Sequence, residues 1–335
     1  MARSRRFIRA HRPYELCIRV REGLPFATFR LIKLLIESSL ARAQRDSKVT
    51  ICHMLWMGNH FHALIIPTDA QLCVNFYQEL QKKITEYVKR LLGKRTMNLW
   101  EGGPTLAEVL DLDQGVGRIA YFYANPAAAN LVDSIDQYPG VSSWSEFTNA
   151  KDSIHDEATT IIPWIRLPYV PKLHSLALSH AQDGGLTRKL RESAKERHPL
   201  TLKPNAWMKA FGISEPEKVR STNNRIIESV RELEATAREL RIKEQKTVIG
   251  PNRLARQPIM APHTPPPRER RIFVLSTVAE LRIAYIQAMK RFTKKCQECY
   301  RAMRDGLDSL PWPPGALRPP LRPLANSIVP IYACS

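Results

Sequence analysis

The chain has 335 residues, more than one typical domain needs, and 51 lysines and arginines against 32 aspartates and glutamates give it a formal charge of +19. Its six cysteines are scattered, which argues against a disulfide framework, and no stretch is long or apolar enough for a signal peptide or a membrane span. We therefore expect a cytoplasmic protein whose charge favours a polyanionic partner or, alternatively, serves solubility alone.

The first half of the chain alternates short apolar runs, which predict strands, with segments of helical apolar spacing. In chain order these patterns predict a strand over 14–20, a helix over 26–44, strands over 49–56 and 60–67, a helix over 72–92, a strand over 104–112 and a helix over 116–131. This order is typical of a ferredoxin-like (RRM-like) α+β fold, an antiparallel sheet with helices on one face. The other face of the sheet would stay open.

The composition changes after about residue 150. The first 150 residues carry a formal charge of +5 and the remainder carries +14. We expect one domain over 1–150 and a basic, mostly helical extension over 151–335 with proline-rich linkers. Helices are predicted over 186–198, from about 214 to 246 and from about 277 to 304, and the last two follow capping-box patterns.

Two histidines, His60 and His62, lie one residue apart on the predicted strand 60–67. Alternate residues of a strand share one face, so both imidazoles point the same way while Phe61 turns toward a core. Two imidazoles on one face can begin a divalent-metal site. The alternative is that both are ordinary core residues, and for His53, on the preceding strand, we expect a structural position.

A second group lies on the predicted helix 116–131. Tyr121 and Asn125 are one turn apart and share a face, whereas Tyr123 points nearly the opposite way. A phenol has an ordinary pKa near ~10, so its attack on a phosphodiester needs help from a cation such as Mg²⁺ or Mn²⁺. Tyr121 could supply the nucleophile and Asn125 a third metal ligand. Alternatively, the tyrosines pack in a core and the Asn-Pro pair ends the helix.

These residues carry a resemblance over about residues 7 to 150. The motifs are Met57-Gly58-Asn59 before His60-Phe61-His62, then Leu99-Trp100, Tyr121, Asn125-Pro126, Leu131-Val132, Tyr138-Pro139 and Ser142-Ser143. Together they resemble the single-tyrosine HUH transposases, and more narrowly the REP-associated tyrosine transposase branch of the insertion-sequence-200-like group. The resemblance implies that Tyr121 is the nucleophile and that His60, His62 and Asn125 bind Mg²⁺ or Mn²⁺.

The resemblance also implies a substrate and partners. The substrate would be a single DNA strand folded into a hairpin, cleaved and rejoined through a 5′-phosphotyrosine by a nucleoid-associated protein that can form a homodimer. Candidate contacts to the DNA backbone are Arg3, Arg5, Arg6, Arg9, Arg12, Lys82, Lys83, Lys89 and Arg90, each of which could instead be a solvated surface charge.

Two other functions remain open. A relaxase or replication initiator shares the sheet and the histidine pair but usually places the tyrosine differently. A noncatalytic DNA- or RNA-binding module could use the same fold with structural histidines, although the strands lack the aromatic-rich motif on which bases stack in such modules.

Overall fold

The structure, a computed structural model, describes residues 7–21, 30–151, 157–166, 185–256, 272–307 and 310–319. The strands in these ranges are β1 (Tyr14–Arg19), β2 (Thr50–Trp56), β3 (His60–Ile66), β4 (Thr105–Val109), β5 (Ala158–Pro163), β6 (Arg197–Leu202) and β7 (Val274–Leu275). The α-helices are α1 (Arg30–Ser47), α2 (Ala70–Leu91), α3 (Leu112–Ala128), α4 (Trp144–Ala150), α5 (Gly185–Glu192), α6 (Pro216–Lys243), α7 (Pro251–Leu254) and α8 (Ala279–Arg304). None of these helices is both long and apolar enough to cross a lipid bilayer.

The centre of the sheet has the strand order β2-β3-β1-β4, and each neighbouring pair there is antiparallel. Right-handed β-α-β connections place both crossover helices on the same face of such a sheet. Accordingly, α1 and α2 pack against each other, and their apolar side chains share one core with those of β1 and β3. The predicted ferredoxin-like α+β fold is confirmed, and each of its seven elements lies within a few residues of its predicted position.

The described part of the extension is mostly helical, as predicted, and it also contributes strands that the sequence does not predict. Strands β5 and β6 lengthen the sheet beyond β2, and the short β7 lengthens it beyond β4. The joins β6–β2 and β4–β7 are parallel, whereas the central joins are antiparallel. Segments as short as these, two of which contain a proline, carry little strand signal of their own. They become strands because an existing sheet edge offers unpaired backbone groups.

The second face of the sheet, which the sequence predicts to be open, carries α3 and α6. Most side chains of α3 are buried, including Val116, Ile119, Phe122 and Tyr123. A helix that is apolar around most of its circumference needs cover on two sides. The sheet covers one side of α3, and α6 packs along the other.

Polar contacts tie α6 to both ends of α3. Arg225 of α6 pairs with Asp113 in the first turn of α3, with 2.7 Å between nitrogen and oxygen. Arg241, which is 5% exposed, donates to the carbonyl of Ala127 at the end of α3 and to the carboxylate of Asp133. The extension therefore fixes the position of α3 along its whole length.

Two glycines of α3 test how closely the extension packs. Gly115 is buried, and a methyl group there would lie 2.3 Å from a ring atom of the buried Trp207, whereas a methyl group at Gly117 would meet nothing within 4 Å. We expect Gly115→Ala to lower the free energy of unfolding by about 1–3 kcal/mol through overpacking. Gly117→Ala should raise it by about 0.5–1 kcal/mol, because alanine loses less backbone entropy in a helix. Urea denaturation of both variants measures the difference, and equal effects would contradict the close packing.

Candidate active site

His60 and His62 lie on β3, next to β1 in the centre of the sheet. The sheet register pairs His62 with Cys17 and His60 with Arg19. The two rings point to the α3 face, with 4.8 Å between their centroids. His62 is buried and His60 is half-buried, so the pair lies at the rim of the covered region and is accessible from one side.

Hydrogen bonds fix which nitrogen of each ring carries the proton. His60 Nδ1 lies 2.6 Å from Asn59 Oδ1, and His62 Nδ1 lies 3.0 Å from Glu15 Oε1. Both partners are oxygen acceptors, so each Nδ1 donates a hydrogen, and in the neutral ring the lone pair is then on Nε2. This is the arrangement of metal-binding histidines, whose second ring nitrogen donates to a carboxylate or a carbonyl oxygen.

Helix α3 brings Tyr121 and Asn125 to the same place. The ring of Tyr121 lies 5.8 Å from the ring of His62, centroid to centroid, and remains 42% exposed. One turn later, Asn125 Nδ2 lies 3.3 Å from His60 Nε2. The structure thus brings together all four of the predicted catalytic and metal-binding side chains.

Two further residues of this cluster escaped the sequence analysis. Glu15 of β1 accepts two hydrogen bonds from Arg118, at 2.8 and 2.6 Å, in addition to the one from His62. Burial alone would raise the pKa of the Glu15 carboxyl, but the bonds from His62 and Arg118 hold it below its ordinary value. The available signals were a lone carboxylate in an apolar strand and an arginine one turn before Tyr121 on the same helix.

The opposite side of α3 has a structural role. Tyr123 is fully buried, and its hydroxyl lies 2.9 Å from His53 Nδ1 and 2.8 Å from Ser143 Oγ. Burial raises the pKa of the Tyr123 phenol and lowers the pKa of the His53 imidazole to about 3. Neither group is placed or poised to act at the surface where Tyr121 lies.

The neutral His53 predicts a pH dependence of stability. The unfolded chain binds a proton at this imidazole below its ordinary pKa of about 6.5, and the folded chain does not until near pH 3. Stability is therefore full above the unfolded pKa and is lost as the pH falls, by about 2 kcal/mol between pH 7 and pH 5. We expect His53→Gln to remove this contribution. Urea denaturation at both pH values measures it, and an equal loss in both proteins would contradict the assignment.

The predicted DNA-contacting residues have different surroundings. Arg3, Arg5 and Arg6 lie outside the described residues. Arg9 and Arg12 both pair with the buried carboxylate of Glu108. The remaining four lie on α2, on the other face of the sheet from Tyr121: Lys82 is exposed, Lys83 pairs with Glu79 and Glu86, and Lys89 and Arg90 are half-buried. The six candidates that the structure describes therefore lie in two separate places and do not form one patch.

The donor set near Tyr121 fits a divalent cation only if an amide takes part. Within the ranges that the structure describes, no cluster of three histidine, cysteine, aspartate or glutamate side chains is placed to hold a metal ion. Two imidazole Nε2 lone pairs and one carboxamide oxygen make a set of neutral ligands that leaves positions for phosphate and water. A half-turn of the Asn125 amide presents its oxygen in place of its nitrogen.

Comparison with solved structures shows a similarity over part of the chain. A solved structure described as a REP-associated tyrosine transposase bound to a REP hairpin aligns with a TM-score of 0.37 at 15% sequence identity. The alignment covers 44% of this chain and 86% of that chain. No protein-family model matches the sequence, and no curated protein matches it.

Proposed function

We propose that this chain is a metal-dependent transposase or endonuclease that cleaves and rejoins single-stranded DNA at hairpin sequences through a 5′-phosphotyrosine. The observation that carries the proposal is the convergence of Tyr121 on α3 with His60 and His62 on β3. The motif resemblance supplies the substrate class. We also propose that the protein associates with the nucleoid and forms a homodimer.

Tyr121 would act as the nucleophile. Its hydroxyl loses a proton to solvent, and its oxygen forms a bond to the phosphorus of the scissile phosphodiester. The bond from phosphorus to the 3′ oxygen breaks, and a proton from solvent completes the free 3′-hydroxyl. The reverse attack by a 3′-hydroxyl rejoins the strand without a nucleotide cofactor. The 42% exposure of Tyr121 leaves room for a DNA backbone to approach.

His60, His62 and Asn125 would hold the cation, Mg²⁺ or Mn²⁺. The Nδ1 hydrogen bonds of the two histidines and the position of the Asn125 amide next to His60 support this set of metal ligands. When bound, the cation withdraws charge from a nonbridging phosphate oxygen and makes the phosphorus a better electrophile. Arg118 lies against the Tyr121 ring, and the carboxylate of Glu15 offsets its charge.

The basic extension would lengthen the contact with DNA. Helix α8 buries Tyr285, Phe292, Cys296 and Cys299 on one side. Its exposed cations lie on the rest of the helix: Lys290, Arg291, Lys294, Lys295, Arg301 and Arg304. Such residues bind phosphates without reading sequence, so we expect them to add affinity rather than specificity.

The metal requirement gives the first test. A labelled single-stranded hairpin incubated with Mn²⁺ should form a denaturation-resistant adduct with the protein, and chelation should abolish it. His60→Ala and His62→Ala should each slow adduct formation on the order of 10³-fold, because a metal supplies several kcal/mol of transition-state stabilisation. Quantifying the shifted band over time on a denaturing gel measures the rate.

His11→Asn is the matched control. His11 is exposed and has a φ of 59°, a conformation that asparagine tolerates well. Its adduct rate should equal that of the wild type. Binding of the hairpin without any adduct would favour the noncatalytic module, and cleavage that survives both alanine variants would exclude the proposed metal ligands.

A further inference from the structure

A buried ion pair joins the two sides of the candidate site. Glu15 is 6% exposed and is held by both Nε and Nη2 of Arg118. The same carboxylate accepts from His62 Nδ1. The central guanidinium carbon of Arg118 lies 4.5 Å from the centre of the Tyr121 ring. One charged pair thus contacts both a candidate metal ligand and the candidate nucleophile.

We propose that Glu15 and Arg118 are positioning residues that hold the nucleophile and the metal ligand in a fixed position relative to each other; this inference rests on the function proposed above. Glu15 keeps the proton of His62 on Nδ1, so that Nε2 faces the site. Arg118 donates two hydrogen bonds to the carboxylate and contacts the Tyr121 ring with its guanidinium group. A link from strand to helix therefore runs through four side chains in direct contact.

Stability alone explains the pair poorly. Moving two charges out of water is costly, and well-packed apolar residues in their place are often as stable or more so. An arginine that makes two hydrogen bonds to one carboxylate also has a fixed orientation, whereas the ammonium group of a lysine does not.

Glu108 offers a matched comparison. It is buried on β4, it is paired with two arginines, and it lies opposite Tyr14, the residue before Glu15. Because successive strand residues point to opposite faces, Glu108 lies on the face away from His62. It shares the burial and charge of Glu15 without the contact to the site, so Glu108→Gln controls for the loss of a buried ion pair.

The tautomer of His62 can be read without any activity. In the full-length wild-type protein, the ¹⁵N shifts of the His62 ring should report a protonated Nδ1 and an unprotonated Nε2. A neutral His62 ring with its proton on Nε2 and a bare Nδ1 in the metal-free protein would overturn the role of Glu15. This measurement needs no variant, so it stands even where a substitution impairs folding.

Two substitutions separate the roles of the pair. Glu15→Gln should weaken Mn²⁺ binding by about 10–100-fold, as loss of a partner behind a metal ligand typically does. Arg118→Lys keeps the charge but loses the planar grip. It should slow adduct formation at saturating DNA and Mn²⁺ by about 10–100-fold, because a misplaced nucleophile costs rate, with Mn²⁺ affinity and the KM for DNA nearly unchanged. Electron paramagnetic resonance of free Mn²⁺ gives the affinity, and single-turnover gels give the rate.

The outcomes separate this inference from the proposed function. If the wild type forms the adduct and both variants behave like Glu108→Gln, the pair is only structural and the inference fails alone. If the wild type neither binds Mn²⁺ nor forms an adduct, the proposed function fails and takes the inference with it. The inference is supported if Glu15→Gln lowers the affinity for Mn²⁺ while Arg118→Lys lowers only the rate of adduct formation. General destabilisation would lower the affinity and the rate together in each variant.

Discussion

Tyr121→Phe should abolish the covalent protein–DNA adduct while leaving hairpin binding nearly intact. The substitution removes one oxygen and keeps the ring that lies against His62 and Arg118. Because the lost atom is the proposed nucleophile, the rate of adduct formation should fall on the order of 10⁴-fold or more, as loss of a nucleophile does in other enzymes. Labelled hairpin DNA with Mn²⁺ on a denaturing gel measures the adduct, and a mobility-shift assay measures binding.

Tyr300→Phe is the matched control for this experiment. Tyr300 lies on α8 and is 43% exposed, close to the 42% of Tyr121, so a phenol of similar accessibility is lost on a different helix. Its adduct rate should equal that of the wild type. An undiminished adduct in Tyr121→Phe would show that another group attacks the phosphate, and loss of the adduct in Tyr300→Phe would point to a mixture of attachment sites.

The parts of the site that the sequence predicts are those set by local periodicity. Two-residue spacing on β3 places His60 and His62 on one face, and four-residue spacing on α3 does the same for Tyr121 and Asn125. To apply these rules, one needs to know only whether a segment is a strand or a helix, and the apolar pattern indicates this. The meeting of this strand and this helix does not follow from these rules, because the sequence predicts an open second face and the structure covers that face with α3.

The contacts that the sequence does not predict join distant segments. Glu15 and Arg118 are 103 positions apart, and neither has a spacing that marks it as one of a pair. Likewise, the contact of Arg241 with Asp133 spans 108 positions. Such pairs depend on how complete elements pack, and a single sequence holds no local pattern for them.

The capping boxes illustrate the same limit. Helices α6 and α8 begin where the pattern predicts, yet Glu215 and Val278 occupy their N-cap positions and neither makes a side-chain cap. Thr277 instead donates to the carboxylate of Asp111, which caps α3. Thr277 therefore bonds to a residue in a distant segment of the chain instead of capping its own helix. This contact connects the start of α8 to the start of the helix that carries Tyr121.

Truncation after Ala150 should leave a fragment without a cooperative unfolding transition. The sequence predicts a domain over 1–150, but α6 covers one side of α3, and Trp207 and Ile226 are fully buried in the same core. Losing several such side chains, each worth about 1.5–3 kcal/mol, removes an amount comparable to the ~5–15 kcal/mol that stabilises a whole domain. Thermal unfolding followed by near-ultraviolet circular dichroism measures the result.

Point variants in the full chain keep this prediction falsifiable if the fragment aggregates. Ile226→Ala should lower the free energy of unfolding by about 2–5 kcal/mol, because it leaves a cavity between α6 and α3. Leu233→Ala, on the same helix but 42% exposed, should change it far less. A fragment 1–150 that unfolds as cooperatively as the full chain would instead establish the boundary at 150 and make α6 an accessory to α3.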